Sequence, residues 1–300
     1  HFVVGKTDYV NNKNCSVDAT LKILKDTVIV SKSNILIEDV LSSVDGIIVG
    51  GNHLSLNLKG DKQQLGSIVN HIPERFKSTF SSFICDGIIN YKGEINGIIN
   101  KNTNPYFNMV FDVFNGNFKL KRVPFILKNI SAKGSINNGK DANFETTIIN
   151  VSNFFANNEQ GSIDGSFSVN NLNKYYLNTQ INSSWSLAEL NHYFEDSPFF
   201  NLSGMLFAKT LYKGNLSFNN NFKDYFINSE HITEAKFKNV RFQHLNSPLD
   251  FSLPSVHALF NNSEIKIEKS FLNISKSNLS FTGNITHFIS YLLKKTEKFF

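Results

Sequence analysis

The sequence predicts a mainly β protein: an elongated, curled, groove-like antiparallel β-sheet with a few short helices. Apolar and polar residues alternate with period two through most of the chain, the pattern of half-buried strands. Turn signals rich in Asn, Asp and Gly separate these runs at short intervals, which favours hairpins. The long strand–helix alternation that a doubly wound fold needs is missing.

Taken in order, Ala19, Leu21 and Ile23 open the alternation, followed by Val28 and Val30, then Ile35 and Ile37. Leu54, Leu56 and Leu58 continue it. Leu65, Ile68, Val69 and Ile72 have helical spacing, predicting a helix within 61–72 that stops at Pro73. Phe76, Phe80 and Phe83 predict a second short helix. Phe107, Met109, Phe111 and Val113 share one face of a strand, and Phe118 and Leu120 resume after a turn expected at Asn115-Gly116-Asn117. Further turns are expected at Asp45-Gly46, Gly50-Gly51-Asn52, Asn137-Asn138-Gly139 and Asp164-Gly165.

Ile163, Gly165, Phe167 and Val169 alternate in the same way, as do Ile265/Ile267, Leu272/Ile274 and Leu279/Phe281. Ser186-Leu187-Ala188-Glu189 reads as a capping box opening a helix with Leu187, Leu190 and Phe194 on its apolar face. Thr286 is placed to cap a last helix over 284–293 carrying Phe288, Tyr291 and Leu292. A strand, a Gly and an amphipathic helix thus recur at 54–72 and 277–293, but no fixed period links the two, so this is not a solenoid. Without a Pro/Ser-rich linker, the division is soft: a first strand–helix unit over 1–85 and a continuous β-meander with a closing helix over 86–300.

The chain begins at His1 and ends at Phe300, as expected of a piece of a longer protein. Residues 1–20 lack the basic and apolar regions of a signal peptide, and no run is apolar for long enough to span a bilayer. Any export signal or anchor is expected upstream. Asn makes up about one residue in seven, and with 29 Phe, many Ile and Lys and only 6 Pro this fits the bias of AT-rich codons. The net charge of +5 is spread among interleaved acids and bases. The densest basic patch, Lys119, Lys121 and Arg122, alternates with Phe118 and Leu120. It reads as a solvated strand face, so no nucleic-acid partner is expected. A weak attraction to anionic headgroups is compatible with the charge. Cys15 and Cys85 have no metal or redox spacing; one long-range disulfide and two free thiols both fit.

Catalytic patterns are missing. The eight histidines, His1, His53, His71, His192, His231, His244, His257 and His287, form no metal-ligand spacing. In Gly161-Ser162-Ile163-Asp164-Gly165 the serine stands in the wrong place for a nucleophile elbow. Gly50-Gly51 lacks the Lys-Ser/Thr of a phosphate loop, and Asp141, Glu145 and Glu159 are unpaired carboxylates on polar faces and loops. Neither enzyme activity nor a cofactor or metal is expected. The Asn-x-Ser/Thr triplets at Asn150, Asn215 and Asn273 are expected by chance at this composition.

An antiparallel sheet with one apolar face must bury it. Two sheets sealing each other in a sandwich would do so, and so would one sheet curled into a trough filled by a ligand. Composition is compatible with both. If there is a groove, strand parity assigns it Phe107, Met109, Phe111, Phe118, Leu120, Ile163, Phe167 and Val169.

The run Gly87-Ile-Ile-Asn-Tyr-Lys-Gly93-Glu-Ile-Asn-Gly97, the Asn104-Pro105 before the Phe-rich strand 107–118, Gly161-Ser-Ile-Asp-Gly165-Ser-Phe167 and Leu279-Ser-Phe281-Thr-Gly283 together resemble AsmA-like proteins of Gram-negative bacteria, in the style of the Bacteroidota. The likeness covers most of the chain and lies in strand texture rather than in a signature motif. It implies a periplasmic curled sheet with an apolar groove, related to TamB-like lipid-transfer proteins and held to the inner membrane by an upstream helix. It implies roles in outer-membrane biogenesis and phospholipid transport, acyl-chain lipid and envelope membranes as partners, and no catalytic residues. The rival reading is a β-sandwich adhesin or carbohydrate- or protein-binding module, against which the single Trp185 weighs mildly.

Overall fold

The computed structural model describes residues 2–4, 7–10, 13–72, 83–121, 126–194, 199–215, 228–262 and 264–286. A two-stranded sheet pairs β1 (Phe2–Val4) with β2 (Thr7–Val10). The rest is one antiparallel sheet of fifteen strands, not closed into a barrel, in which every strand neighbours the strands before and after it in sequence. The first eight are β3 (Cys15–Leu24), β4 (Thr27–Ile37), β5 (Val40–Val49), β6 (His53–Gln64), β7 (Phe83–Ile98), β8 (Tyr106–Leu120), β9 (Ile126–Asn137) and β10 (Ile148–Asn157). The others are β11 (Ser162–Asn170), β12 (Tyr176–Ser186), β13 (Phe199–Asn215), β14 (Glu230–His244), β15 (Ser247–Asn261), β16 (Glu264–Ile274) and β17 (Ser277–Thr286).

Contacts group the chain into two compact units, one of 1–156 with 168–174 and one of 157–167 with 175–300. In the first unit, α1 (Leu65–Asn70) packs on β7 and β6. Its expected first turn, 61–64, is still strand. The second expected helix falls on 73–82, outside the described residues, and Phe83 opens β7. Residues 287–293 of the expected last helix also lie outside them, and 284–286 belong to β17.

Three of the expected turns are strand interior. Gly46 pairs with Val30 on one side and Leu56 on the other. Gly165 lies within β11, where a side chain would strike the Gln180 carbonyl, so a glycine there admits close backbone approach rather than a reversal. At Asn115-Gly116 the chain makes a β-bulge within β8: Asn115 has φ 51° and the pairing with β7 shifts between Asp86 and Ile88. Gly50-Gly51-Asn52 and Gly139 do sit at reversals, with φ 58° and 74° at the two glycines of the former.

In the second unit, residues 187–194 form a 3₁₀ helix against β13. The capping box is not made: the Glu189 carboxylate instead accepts from the Gln160 N–H at 2.8 Å. The helix is held by Asn191, whose amide donates to the Leu202 carbonyl at 3.0 Å and accepts the Leu202 N–H at 2.9 Å.

Loop ends are closed by asparagine side chains. Asn138, only 5% exposed, accepts the Phe107 N–H and donates to the Pro105 carbonyl, both at 2.9 Å. Asn143 accepts the N–H groups of Glu145 and Thr146, and Asn171 those of Asn173 and Lys174. Each replaces a backbone carbonyl in a turn, as a short amide can. The high asparagine content therefore has a structural use at these positions.

Candidate functional site

In the first unit, cross-strand pairing sorts the residues of β5–β9 into two faces. One row runs Gly46, Leu56, Ile95, Phe107. The next runs Val44, Leu58, Gly93, Met109, Ile136. A third runs Gly60, Tyr91, Phe111, Gly134, and a fourth Ile89, Val113, Ala132. No residue in these rows carries a charge. β3 and β4 extend the same face with Leu21 opposite Val30 and Ile23 opposite Val28.

Its polar groups satisfy each other. The Tyr91 hydroxyl, on β7, lies 2.6 Å from that of Ser42 on β5, and the ring reaches it by crossing Gly60 on the strand between. A Cβ at Gly60 would lie 2.3 Å from Tyr91 Cζ. On the other side, a Cβ at Gly134 would lie 2.6 Å from Phe111 Cζ. The two rings lie over neighbouring glycines, an arrangement that shields strand backbone lacking side chains. Burial pushes the Tyr91 phenol above its ordinary value, the Ser42 hydrogen bond partly opposing.

The Asn115 bulge decides which residues reach this face. Without the extra residue, the odd-numbered set of 107–113 would continue and Phe118 would point away. With it, Gly116 and Phe118 join the face, Phe118 opposite Cys85 and Leu127, and the backbone of Leu120 pairs with Phe83. The described part of the sequence-derived set on β8 is therefore on one side: Phe107, Met109, Phe111 and Phe118 are all half-buried there. Ile163 is buried on β11, while Phe167 and Val169 on the same strand are half-buried. Sequence alternation put Leu54, Leu56 and Leu58 on one side of a strand without joining them to this set, and it missed Tyr91 and Ile95. The Tyr91-Lys92-Gly93 run reads as turn chemistry unless the strand is known to be sixteen residues long.

The opposite face of these strands carries the charge. Asp112 on β8 and Lys133 on β9 pair at 3.7 Å. With Asn90, Lys92, Ser135, Asn150 and Ser152 they line a shallow concavity of about 640 Å³. Most of its lining is polar, but Tyr91, Phe111 and Gly134 of the third apolar row border it as well.

In the second unit the corresponding rows are narrower. Ser183, Ala208, Ala235, Ala258, Ile267 and Gly283 form one line of mostly small residues, with Ala235 and Ala258 only 3% exposed. Its polar face holds His257 between two carboxylates, Glu268 at 2.7 Å and Glu234 at 3.1 Å, with Lys236 also on Glu234 at 2.8 Å. The Lys236 hydrogen bond and charge, then His257, hold the Glu234 carboxyl below its ordinary value.

Both cysteines are free thiols, Cys15 exposed and Cys85 half-buried, and burial with the neighbouring Asp86 charge raises the Cys85 thiol. Among the described residues no group of His, Cys, Asp and Glu is placed to hold a metal, and no helix is long and apolar enough to cross a membrane. Comparison of the chain with protein-family models, with curated proteins and with solved structures gave no match.

Proposed function

We propose that this chain is a non-enzymatic cell-envelope protein whose apolar sheet face holds acyl-chain lipid, serving phospholipid transport and outer-membrane biogenesis. In this reading it works in the periplasm, anchored to the inner membrane by a segment outside these residues. The carrying observation is the uncharged face of β3–β9, whose hydroxyls at Ser42 and Tyr91 bond each other. An acyl chain needs no polar partner, and each methylene taken from water contributes about 0.8 kcal/mol. A sixteen-carbon chain therefore gains on the order of 10 kcal/mol before ordering costs.

The test is a photo-crosslinking residue at Phe111, with Val110 as the control. Val110 is 51% exposed on the opposite face of the same strand. Protein from a Gram-negative periplasm should give lipid adducts at 111 and few at 110; equal labelling, or none, would sink the proposal. Native mass spectrometry should show phospholipid leaving with organic extraction. The concavity beside Asp112 and Lys133 supports a second reading, a carbohydrate- or protein-binding module. Polar ligand bound there by a lipid-free protein would favour it.

A further inference from the structure

β3 ends the fifteen-stranded sheet, and all ten of its residues are exposed. Its even-numbered residues turn their backbone groups toward β4. The Thr20 N–H donates to Ser33 Oγ at 3.3 Å and its carbonyl accepts from Ser31 Oγ at 3.4 Å. Further back along the chain, the Asn14 carbonyl accepts the Glu38 N–H at 2.9 Å. Alternation then directs the N–H and C=O groups of Val17, Ala19, Leu21 and Ile23 off the open edge. The side chains of Val17, Leu21 and Ile23 are 61%, 54% and 72% exposed, and Leu21 and Ile23 continue the uncharged face.

We propose that this edge pairs with the same edge of a second copy, antiparallel, about a two-fold axis through Thr20. Only registers that set odd residues against odd residues let the outward groups bond. With Thr20 opposite Thr20, Val17 meets Ile23 of the second copy and Ala19 meets Leu21, each exchanging both backbone hydrogen bonds. Asp18 then faces Lys22 of the second copy, twice over by symmetry, in the pairs whose side chains approach most closely. Sliding by one pleat in either direction leaves both charges without partners. Sliding by two sets Asp18 against Asp18 or Lys22 against Lys22. The charges on this strand thus favour one register. The pairing also joins the uncharged faces of the two copies on the same side of the sheet. The other edge, β17, carries no charged residue and has no means of choosing a register by charge.

The experiment uses the whole chain with Cys15→Ser and Cys85→Ser. Sedimentation up to millimolar concentration should show a dimer. Thr20→Cys should then form a disulfide dimer under mild oxidation, and Ser16→Cys should not. Asp18→Lys should weaken the dimer by about tenfold, two attractive pairs becoming repulsive. Adding Lys22→Asp should restore it, with the denaturation midpoint unchanged throughout. A protein monomeric at every concentration overturns the proposal. A dimer indifferent to Asp18→Lys also overturns it, as does one in which the thiol of the Thr20→Cys variant crosslinks instead to a cysteine placed in β17.

Discussion

Tyr91 and Ser42 are separated by 49 residues and by an intervening strand, yet their hydroxyls lie 2.6 Å apart. The contact exists because Gly60, between them, has no side chain to hold the ring up. Tyr91→Phe should cost about 0.5–1.5 kcal/mol, since it leaves only the Ser42 hydroxyl without that partner. Gly60→Ala should cost about 1–3 kcal/mol by forcing the ring off its seat. Urea denaturation of both variants gives the comparison, and a Gly60→Ala protein as stable as wild type would contradict the ring's placement.

The Asn115 bulge can be tested by length. Asn tolerates the left-handed backbone found there, and Asn115→Gly should fold with little loss. Deleting Asn115 should be far more damaging, because Phe118 and the positions beyond it would turn to the charged face. If the deletion melts at the same temperature as Asn115→Gly, the bulge does not set parity.

Asn138 closes the end of β8 through two hydrogen bonds from a buried position. Asn138→Ala strands the Phe107 N–H and the Pro105 carbonyl, at a cost of about 1–3 kcal/mol. Hydrogen exchange at Phe107 should accelerate more than exchange at Val113, in the middle of the same strand.

His231 gives a pH dependence of known sign. It is 6% exposed on β14, and burial lowers its pKa below the usual 6.5. The unfolded chain therefore binds a proton more readily. The contribution to stability is fully present above pH 6.5 and is lost as pH falls through the lower folded value. His231→Asn should flatten the stability profile on the acid side of 6.5; an unchanged slope would remove His231 as its source.

Much of the fold was legible because period-two alternation survives in nearly every strand, from Leu21 and Ile23 to Leu279 and Phe281. The turns were less so. Asp45-Gly46 and Asp164-Gly165 have hairpin composition, but the same glycines serve where a neighbouring strand's backbone comes too close for a side chain. Local sequence does not distinguish the two uses, since the difference lies in a strand many residues away. The grouping of Phe107, Met109, Phe111 and Phe118 came out on one side although the expected turn between them is a bulge. A one-residue insertion and a hairpin both shift parity. Tyr91 and Gly60 were missed as partners because their relation is across strands, and alternation along one strand carries no trace of it.

A sheet whose spatial order follows its sequence order has a consequence for how its length can change. No strand has to be threaded between two that are already paired. A hairpin could be duplicated or removed by a single in-frame event, and the flanking strands would close on each other with the same alternation of direction. Such an architecture can be lengthened or shortened in steps of two strands, so that reach becomes a heritable dimension separable from the chemistry of the face.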